Sequence, residues 1–299
     1  MKALFCSDLH LKGEKPIARL DTDWLETQRQ MLGFIVTQAN NRNVDLYLVG
    51  DIFDTPRVAT EVLNMAIEEL QYCENKVYVL VGNHEAPGHD PIEALKSGSV
   101  GVLCKVFNDV RDSVDVTAHH FGNDGKGLGT DGGRIRLTHQ LVFEKPEDLP
   151  PNGKGKYADQ LLDEFQEDGW IICGDMHQAF HHIRKSTGGT RHVVNLGCTI
   201  RHKASELDYT PSCWYIDTDT ELAERIAIPD DPAMVSRNHL EHIEEKDGRI
   251  SAFLEVVKGS GAVTLSFMDN LEAKSHIIEE QSVAIELADL IQICKMESK

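Results

Sequence analysis

Four short apolar runs along the chain break off in the same way, at a cluster of polar side chains. Ala3-Leu4-Phe5-Cys6-Ser7 leads into Asp8-Leu9-His10, and Leu46-Tyr47-Leu48-Val49 into Gly50-Asp51-Ile52-Phe53-Asp54. Leu80-Val81 leads into Gly82-Asn83-His84-Glu85, and Trp170-Ile171-Ile172-Cys173 into Gly174-Asp175-Met176-His177. Short continuous apolar runs that stop at turn residues read as strands buried on both faces. Strands are expected at 2–7, 44–49 and 76–81, with helices between them. The first helix starts at Asp21 or Thr22 as cap and runs to about Asn41, with Trp24, Met31, Phe34 and Ile35 on its apolar face. The second follows Pro56 and spans about Ala59 to Tyr72, with Val62, Ala66, Ile67 and Leu70 inward. The β-α-β-α-β order predicts a parallel, sandwiched sheet with polar groups at its carboxyl edge, where open α/β sheets place their chemistry.

The pattern is less regular downstream. A short helix is expected before a strand from Val100 to Val106, and another strand from Val114 to His119. Residues 122–133 are glycine-rich, but their spacing fits neither phosphate-binding fingerprint, so they read as a surface loop. Arg134 to Thr138 alternates as a strand ending at His139, and Tyr157 to Phe165 reads as a short helix. Short antiparallel strands are expected at 180–185, 191–196, 213–217 and 222–228, with Gly188-Gly189 as a hairpin turn. Pro229-Asp230-Asp231-Pro232 reads as a boundary. Beyond it a small α/β region is expected: two strands about Asp247-Gly248, a third at 261–267, a helix from Asp269 to Glu279, and an ambiguous segment at 283–296.

Composition narrows the class. A chain of 299 residues, 41% hydrophobic and 26% charged, suits a globular protein of one large domain with a small appendage. No run approaches the roughly 18 apolar residues of a membrane span, and no signal peptide precedes Asp8. Seven cysteines without a C-x-x-C pair read as reduced core residues, which suggests a cytoplasmic protein. The net charge of −19 argues against a generic nucleic-acid binder. The charge is uneven: from Glu206 onward there are 20 acidic and 8 basic residues, whereas Gln178 to Ser205 holds no carboxylate. That window carries Arg184, Lys185, Arg191, Arg201 and Lys203 with four histidines; it is either a basic edge or a phosphate-binding face.

Asp8, His10, Asp51, Asn83, His84, His139, Asp175 and His177 thus gather at strand ends. A hydrolytic two-metal site needs hard oxygen and imidazole donors and one carboxylate able to bridge. Asp51, at the tip of the central strand, is the natural bridge. Asp8 and His10, two apart on an extended segment, point the same way and can chelate one ion. Asn83 offers a neutral oxygen to the other. Any one of these residues alone would read as a cap; D-x-H, G-D-x-x-D and G-N-H-E in series, each after an apolar strand, do not.

The series resembles the calcineurin-like metallophosphoesterase superfamily over roughly residues 1–217. Gly50-Asp51-Ile52-Phe53-Asp54-Thr55, Thr138-His139-Gln140 and Asn195-Leu196-Gly197-Cys198-Thr199-Ile200-Arg201 are most similar to SbcD-type double-strand-break-repair nucleases and their phage relatives. The resemblance implies an α/β fold: a β-sandwich flanked by helices over 1–229, with a small cap-like α/β domain over 233–299. It implies that Asp8, His10, Asp51 and His177 hold one divalent metal, and that Asp51, Asn83, His139 and position 175 hold the second. Mn is expected first, with Mg, Fe or Zn as alternatives. His84 and Asp51 are the implied catalytic residues, His84 facing the scissile phosphate without ligating, while Glu85 orients His84 or its loop. An activated hydroxide then attacks phosphorus in line. Arg184 and Arg201 are expected as phosphate contacts. The implied partners are DNA, an SMC-like ATPase of SbcC type and a second copy of the chain.

One position departs from the pattern. The last motif is usually G-H-x-H, and here Asp175 replaces the first histidine. Retained binding with a preference for harder ions such as Mn or Mg is the favoured expectation, and a weakly occupied second site is the alternative. A DNA nuclease is the leading expectation, with a small-molecule or cyclic-nucleotide phosphodiesterase as the alternative. A phosphoprotein phosphatase is disfavoured, because Asp54-Thr55-Pro56 stands where Asp-Arg-Gly would be expected. The intact ligand series also disfavours a non-catalytic binding subunit.

Overall fold

The structure is a computed structural model that describes residues 1–121, 135–149, 155–165 and 169–238. The expected glycine-rich loop at 122–133 and the elements expected beyond residue 238 lie outside the described residues. The described strands are β1 (Lys2–Cys6), β2 (Asp45–Val49), β3 (Val77–Leu80), β4 (Asn108–Asp109), β5 (Thr117–His119), β6 (Ile135–His139) and β7 (Val142–Phe143). They continue with β8 (Lys156–Tyr157), β9 (Trp170–Gly174), β10 (Phe180–Ser186), β11 (Gly189–Asn195), β12 (Ser212–Asp217) and β13 (Leu222–Ala227). The helices are α1 (Trp24–Arg42), α2 (Thr60–Leu70), α3 (Pro91–Ser97), α4 (Ser99–Val106) and α5 (Ala158–Glu164).

Two mixed sheets face each other. The first has the order β13-β12-β1-β2-β3-β4, with β1 to β4 parallel and the β12–β13 hairpin antiparallel on the flank of β1. The second has the order β10-β11-β9-β6-β5, parallel except for β10. Alternation along each strand sorts the side chains. Ala3, Phe5, Tyr47, Val49, Tyr78 and Leu80 point between the sheets, against Ala118, Leu137, Ile172 and Val194. Leu4, Cys6, Leu46, Leu48 and Val79 point outward under α1 and α2, and Ile171, Cys173 and Val193 pack under α5. In the inner layer Tyr47 stacks between Phe5 and Tyr78, at centroid distances of 5.1 and 4.8 Å. Such aromatic pairs add about 0.5–1.5 kcal/mol each beyond burial. The α/β sandwich flanked by helices is the architecture expected from the sequence.

Three local readings need correction. Val100–Val106 is helix α4 and not a strand: Val100 and Leu103, three apart, are buried on its inner face. Apolar runs this short do not separate strand from buried helix by periodicity. Helix α1 is capped by Asp23, whose carboxylate accepts the Glu26 N–H at 3.0 Å, and not by Asp21 or Thr22. Asp21 is engaged elsewhere, by the guanidinium of Arg19 at 2.7 and 2.8 Å. The β10–β11 turn is centred on Thr187-Gly188, since Ser186 pairs with Gly189. A compact unit spans Met1–Ser236. Asp230, from the Pro-Asp-Asp-Pro stretch, is buried within that unit against Arg19 and Arg201. Among the described residues no helix is long and apolar enough to cross a membrane.

Candidate metal centre

The parallel strands of both sheets end at one edge, and that edge collects the expected ligands. Asp8 and His10 follow β1, Asp51 follows β2, and Asn83 and His84 follow β3; from the second sheet, His139 ends β6, and Asp175 and His177 follow β9. Close backbone approach makes the convergence possible. A Cβ on Gly82 would lie 2.2 Å from both the backbone nitrogen and the carboxylate of Asp51. Asp8, His10, Asp51 and Asp175 all have left-handed backbone, with φ of 53°, 45°, 50° and 88°.

Overlapping groups of donors form among the described residues. Asp8, His10 and His177 lie within 4.8 Å of one another, as do Asp8, Asp51 and His139. Asp8 belongs to both; a third group joins His10 and Asp51 to the exposed His84, and a fourth joins His177 to Cys198 and Glu206. Asp8 is held by the Ser7 hydroxyl at 2.6 Å and by the Asp175 N–H at 3.2 Å. The Asp51 carboxylate accepts the His84 N–H at 2.9 Å and lies 3.3 Å from His139 Nε2.

The tautomers follow from the partners. His177 Nδ1 lies 2.7 Å from Glu206 Oε1, so it carries the proton and leaves a lone pair on Nε2. That Nε2 faces His10 Nε2 at 3.2 Å. His139 Nδ1 donates to the Val49 carbonyl at 2.8 Å, and its Nε2 lies 2.9 Å from Asn83 Oδ1. Two imidazole nitrogens, and separately an imidazole nitrogen and an amide oxygen, thus converge at close range. Turning the Asn83 amide over would relieve the second pair through N–H contacts to His139 and Asp51 at 2.9 and 3.0 Å. A divalent cation held there would favour the oxygen-inward orientation. The donor set of carboxylate, imidazole and amide oxygen suits Mn, Fe, Zn or Mg, so the residues present fit the two-metal expectation.

Charge balance points the same way. Burial alone would lower His139, but the adjacent Asp51 carboxylate outweighs it and lifts the imidazole to about 10. Against burial, the same pairing holds Asp51 down to about 2. Such a pair gives up its proton when a divalent ion takes its place. Asp175 is pushed up, first by burial and then by Asp8 and Asp51, against the opposing pull of His139. Asp175 is close enough to feel these charges but is absent from the tight donor groups.

His84 stands at the rim. Its side chain is 43% exposed, and its ring meets His10 edge-on at 4.6 Å. Its Nδ1 donates to the Asp54 carbonyl at 3.0 Å, which fixes the ring and leaves Nε2 for a substrate. Glu85 supports the loop and not the His84 ring: its carboxylate accepts the N–H groups of Phe53 (2.9 Å) and Gly82 (2.7 Å). Burial, reinforced by Asp51, lifts Glu85 to about 8.

The two expected phosphate contacts are placed in internal ion pairs. Arg184 reaches Asp163 on α5 at 2.8 Å, and the buried Arg201 reaches Asp230 at 3.0 Å. Arg191 binds the Leu162 carbonyl at 2.7 Å. Much of the basic window therefore fastens α5 and the 230 turn to the sandwich.

Several supporting roles escaped the sequence reading. Glu206 fixes His177, and its other oxygen accepts the N–H groups of His202 (2.6 Å) and Lys203 (3.0 Å). The attraction of His177 holds Glu206 down to about 2 against burial. Asp54 sits 3.4 Å from His10 Nδ1 and 3.1 Å from Lys12 Nζ. Asn195 clamps the last motif by donating to the carbonyls of Met176 (2.6 Å) and Gln178 (2.8 Å), while the Cys198 N–H holds the His177 carbonyl at 3.0 Å. The only signal for Glu206 was its position as the first carboxylate after the 178–205 window.

Among known proteins, no curated sequence matches the chain. Similar solved structures include TT1561 of Thermus thermophilus, at 11% identity and a TM-score of 0.45 over 76% of this chain and 99% of that one. A dimetal phosphatase from Danio rerio is similar at 12% identity and a TM-score of 0.46 over 77% and 99% of the two chains. Vps29 of Entamoeba histolytica, complexed with zinc, is similar at 11% identity and a TM-score of 0.36 over 76% and 99%. The family model described as calcineurin-like phosphoesterase matches residues 1–200. With that match over two thirds of its length, the chain belongs to the calcineurin-like phosphoesterases, a family of dinuclear-metal hydrolases.

Proposed function

We propose that the protein is a metal-dependent phosphodiesterase that cleaves DNA, a nuclease of the SbcD type. The observation that carries the reading is the arrangement at the strand ends: overlapping donor groups that share Asp8, His10 and Asp51, with the exposed His84 at their rim. Two divalent ions, Mn first, supply Lewis-acid activation of water and of the phosphoryl oxygens. Asp8, His10, Asp51 and His177 would hold one ion, and Asp51, Asn83, His139 and Asp175 the other. His84, oriented through Nδ1 by the Asp54 carbonyl, stabilises charge developing on the phosphate or assists the leaving oxygen. The Asp51 carboxylate holds the His84 backbone N–H and so ties that loop to the ligand set.

DNA is favoured as substrate by the Gly50–Thr55, Thr138–Gln140 and Asn195–Arg201 segments that resemble the repair nucleases. With that reading go an SMC-like ATPase partner, a second copy of the chain, a cytoplasmic location and a cap-like domain over 233–299. The test is turnover in Mn2+ of labelled single- and double-stranded DNA beside bis-p-nitrophenyl phosphate, cyclic nucleotides and a phosphomonoester. DNA shortening abolished by His84→Ala supports the nuclease. Turnover of cyclic nucleotides without DNA cleavage replaces it with a small-molecule phosphodiesterase.

A further inference from the structure

A cavity of about 380 Å3 lies beside the last metal motif, lined by Phe143, Glu144, Asp148, Met176, Gln178 and Phe180 among others. It is built from the two segments that deliver metal ligands of the second sheet. Phe143 closes β7, the strand after His139, Glu144 and Asp148 follow it, and Met176 and Gln178 flank His177 on either side. Consecutive Cα atoms are ~3.8 Å apart, so the cavity wall begins one residue from a ligand. The turn is not free to drift. Asn195 holds both Met176 and Gln178 by their carbonyls, at 2.6 and 2.8 Å, and Cys198 holds His177 between them.

The lining chemistry selects its occupant. Among the described residues its lining contains no lysine or arginine, and Glu144 and Asp148 bring two carboxylates. A phosphate would be repelled there, so the cavity is not a track for the nucleic-acid backbone. Two phenylalanines and the Met176 thioether offer apolar surface suited to the face of a flat ring. The carboxylates accept hydrogen bonds, and the exposed Gln178 amide can both donate and accept. Stacking surface with carboxylate acceptors at the rim is the complement of a base carrying an exocyclic amino group, as when Glu or Asp accepts from the N4 amine of cytosine. The volume lies at the small end of the range for ligand pockets, which suits one ring system.

We infer that this cavity is a nucleobase subsite, which receives an amino-bearing base of the substrate strand while its phosphate lies at the metal centre. The inference rests on the nucleic-acid reading above, and the test separates the two. Two variants at partly or fully exposed positions, Gln178→Ala and Glu144→Gln, are compared with wild type in Mn2+. The first readout is the ratio of kcat/KM on a cytosine-rich oligonucleotide to kcat/KM on bis-p-nitrophenyl phosphate, which has no base. The second is binding of deoxycytidine monophosphate and of 2-deoxyribose 5-phosphate, followed by ligand-observed NMR.

The expected ratio falls roughly three- to tenfold in each variant, the worth of one hydrogen bond expressed as affinity. Binding of deoxycytidine monophosphate weakens to a similar extent, and that of 2-deoxyribose 5-phosphate stays within twofold. A ratio that moves less than twofold in both variants overturns the subsite. So does a parallel loss on both substrates, which marks a disturbed His177 turn and no base contact. If wild type hydrolyses bis-p-nitrophenyl phosphate but no DNA, the nuclease reading fails, and the binding measurements alone decide the subsite.

Discussion

Replacing Glu206 with glutamine probes how the His177 ligand is held. The Glu206 carboxylate serves two sides: Oε1 accepts His177 Nδ1 at 2.7 Å, and Oε2 accepts the His202 and Lys203 N–H groups at 2.6 and 3.0 Å. Glutamine keeps the shape but has one oxygen. If that oxygen stays on the two backbone donors, the amide NH2 faces His177 Nδ1. The imidazole must then accept at Nδ1 and carry its proton on Nε2, the atom 3.2 Å from His10 Nε2. A protonated Nε2 cannot bind a metal. If the amide turns over, two backbone N–H groups face its NH2 and the 202–206 turn loses both bonds. A hydrogen bond to a charged group is worth about 1.5–3 kcal/mol. Loss of a carboxylate behind a ligating histidine typically costs about 10–100-fold in metal affinity, or about 1.4–2.7 kcal/mol, and the two figures agree. Calorimetric titration of the purified variant with Mn2+, checked by the EPR signal of free Mn2+, should show the His177 site weakened by that factor. Phosphodiesterase activity should drop at limiting Mn2+ and recover in part at high Mn2+. Two sites with Kd values within twofold of wild type would refute the reasoning.

Three further outcomes are expected. Asp175→His should move the metal preference toward softer ions, raising activity in Zn2+ relative to Mn2+ and Mg2+; identical metal profiles for both forms would show that position 175 does not contribute. Arg19→Ala should destabilise the protein by about 3–5 kcal/mol in urea unfolding, because it leaves the buried Asp21 without its guanidinium and takes from Asp230 one of two, Arg201 remaining; a loss under 1 kcal/mol would contradict this. Burial, helped by His192 and His182, lowers His181 to about 4, so its neutral form is favoured in the fold. Above its unfolded value near 6.5 it has no effect, and stability falls as pH drops from there toward 4 because the unfolded chain binds the proton first. The group is partly solvent-screened, which reduces the effect to about 1 kcal/mol between pH 7 and pH 5. His181→Gln should flatten that part of the profile, and an unchanged slope would assign it elsewhere.

The strands were legible because burial on both faces writes itself as uninterrupted apolar residues, and the ligands because each follows such a run after a turn. Val100–Val106 was misread since a short buried helix and a short buried strand share that signature. The cap of α1 shifted from Asp21 to Asp23 because Arg19 competes for Asp21, a contact two residues away in sequence that also depends on Asp230 far along the chain. Glu206 was missed, and Asp54 and Asn195 stood in their motifs without a role, for a related reason. A carboxylate that steers a histidine, or an amide that clamps a turn, carries no spacing rule; only the folded chain brings Glu206 to His177. Arg184 and Arg201 read as phosphate contacts because their partners Asp163 and Asp230 lie 21 and 29 residues away in sequence.

The left-handed backbone at Asp8, His10, Asp51 and Asp175 has a consequence for how the protein trades durability against turnover. Holding a residue with a Cβ in that region costs roughly 1–2 kcal/mol each, so the four together are comparable to a sizeable part of a domain's whole stability of about 5–15 kcal/mol. The rest of the sandwich must supply that excess before any ion arrives. Metal capture then needs little rearrangement, since the ligands already stand where they are wanted. The same positions are where glycine would relax the chain and harden it against heat while abolishing the chemistry. Selection for robustness alone would erode this centre from its backbone outward.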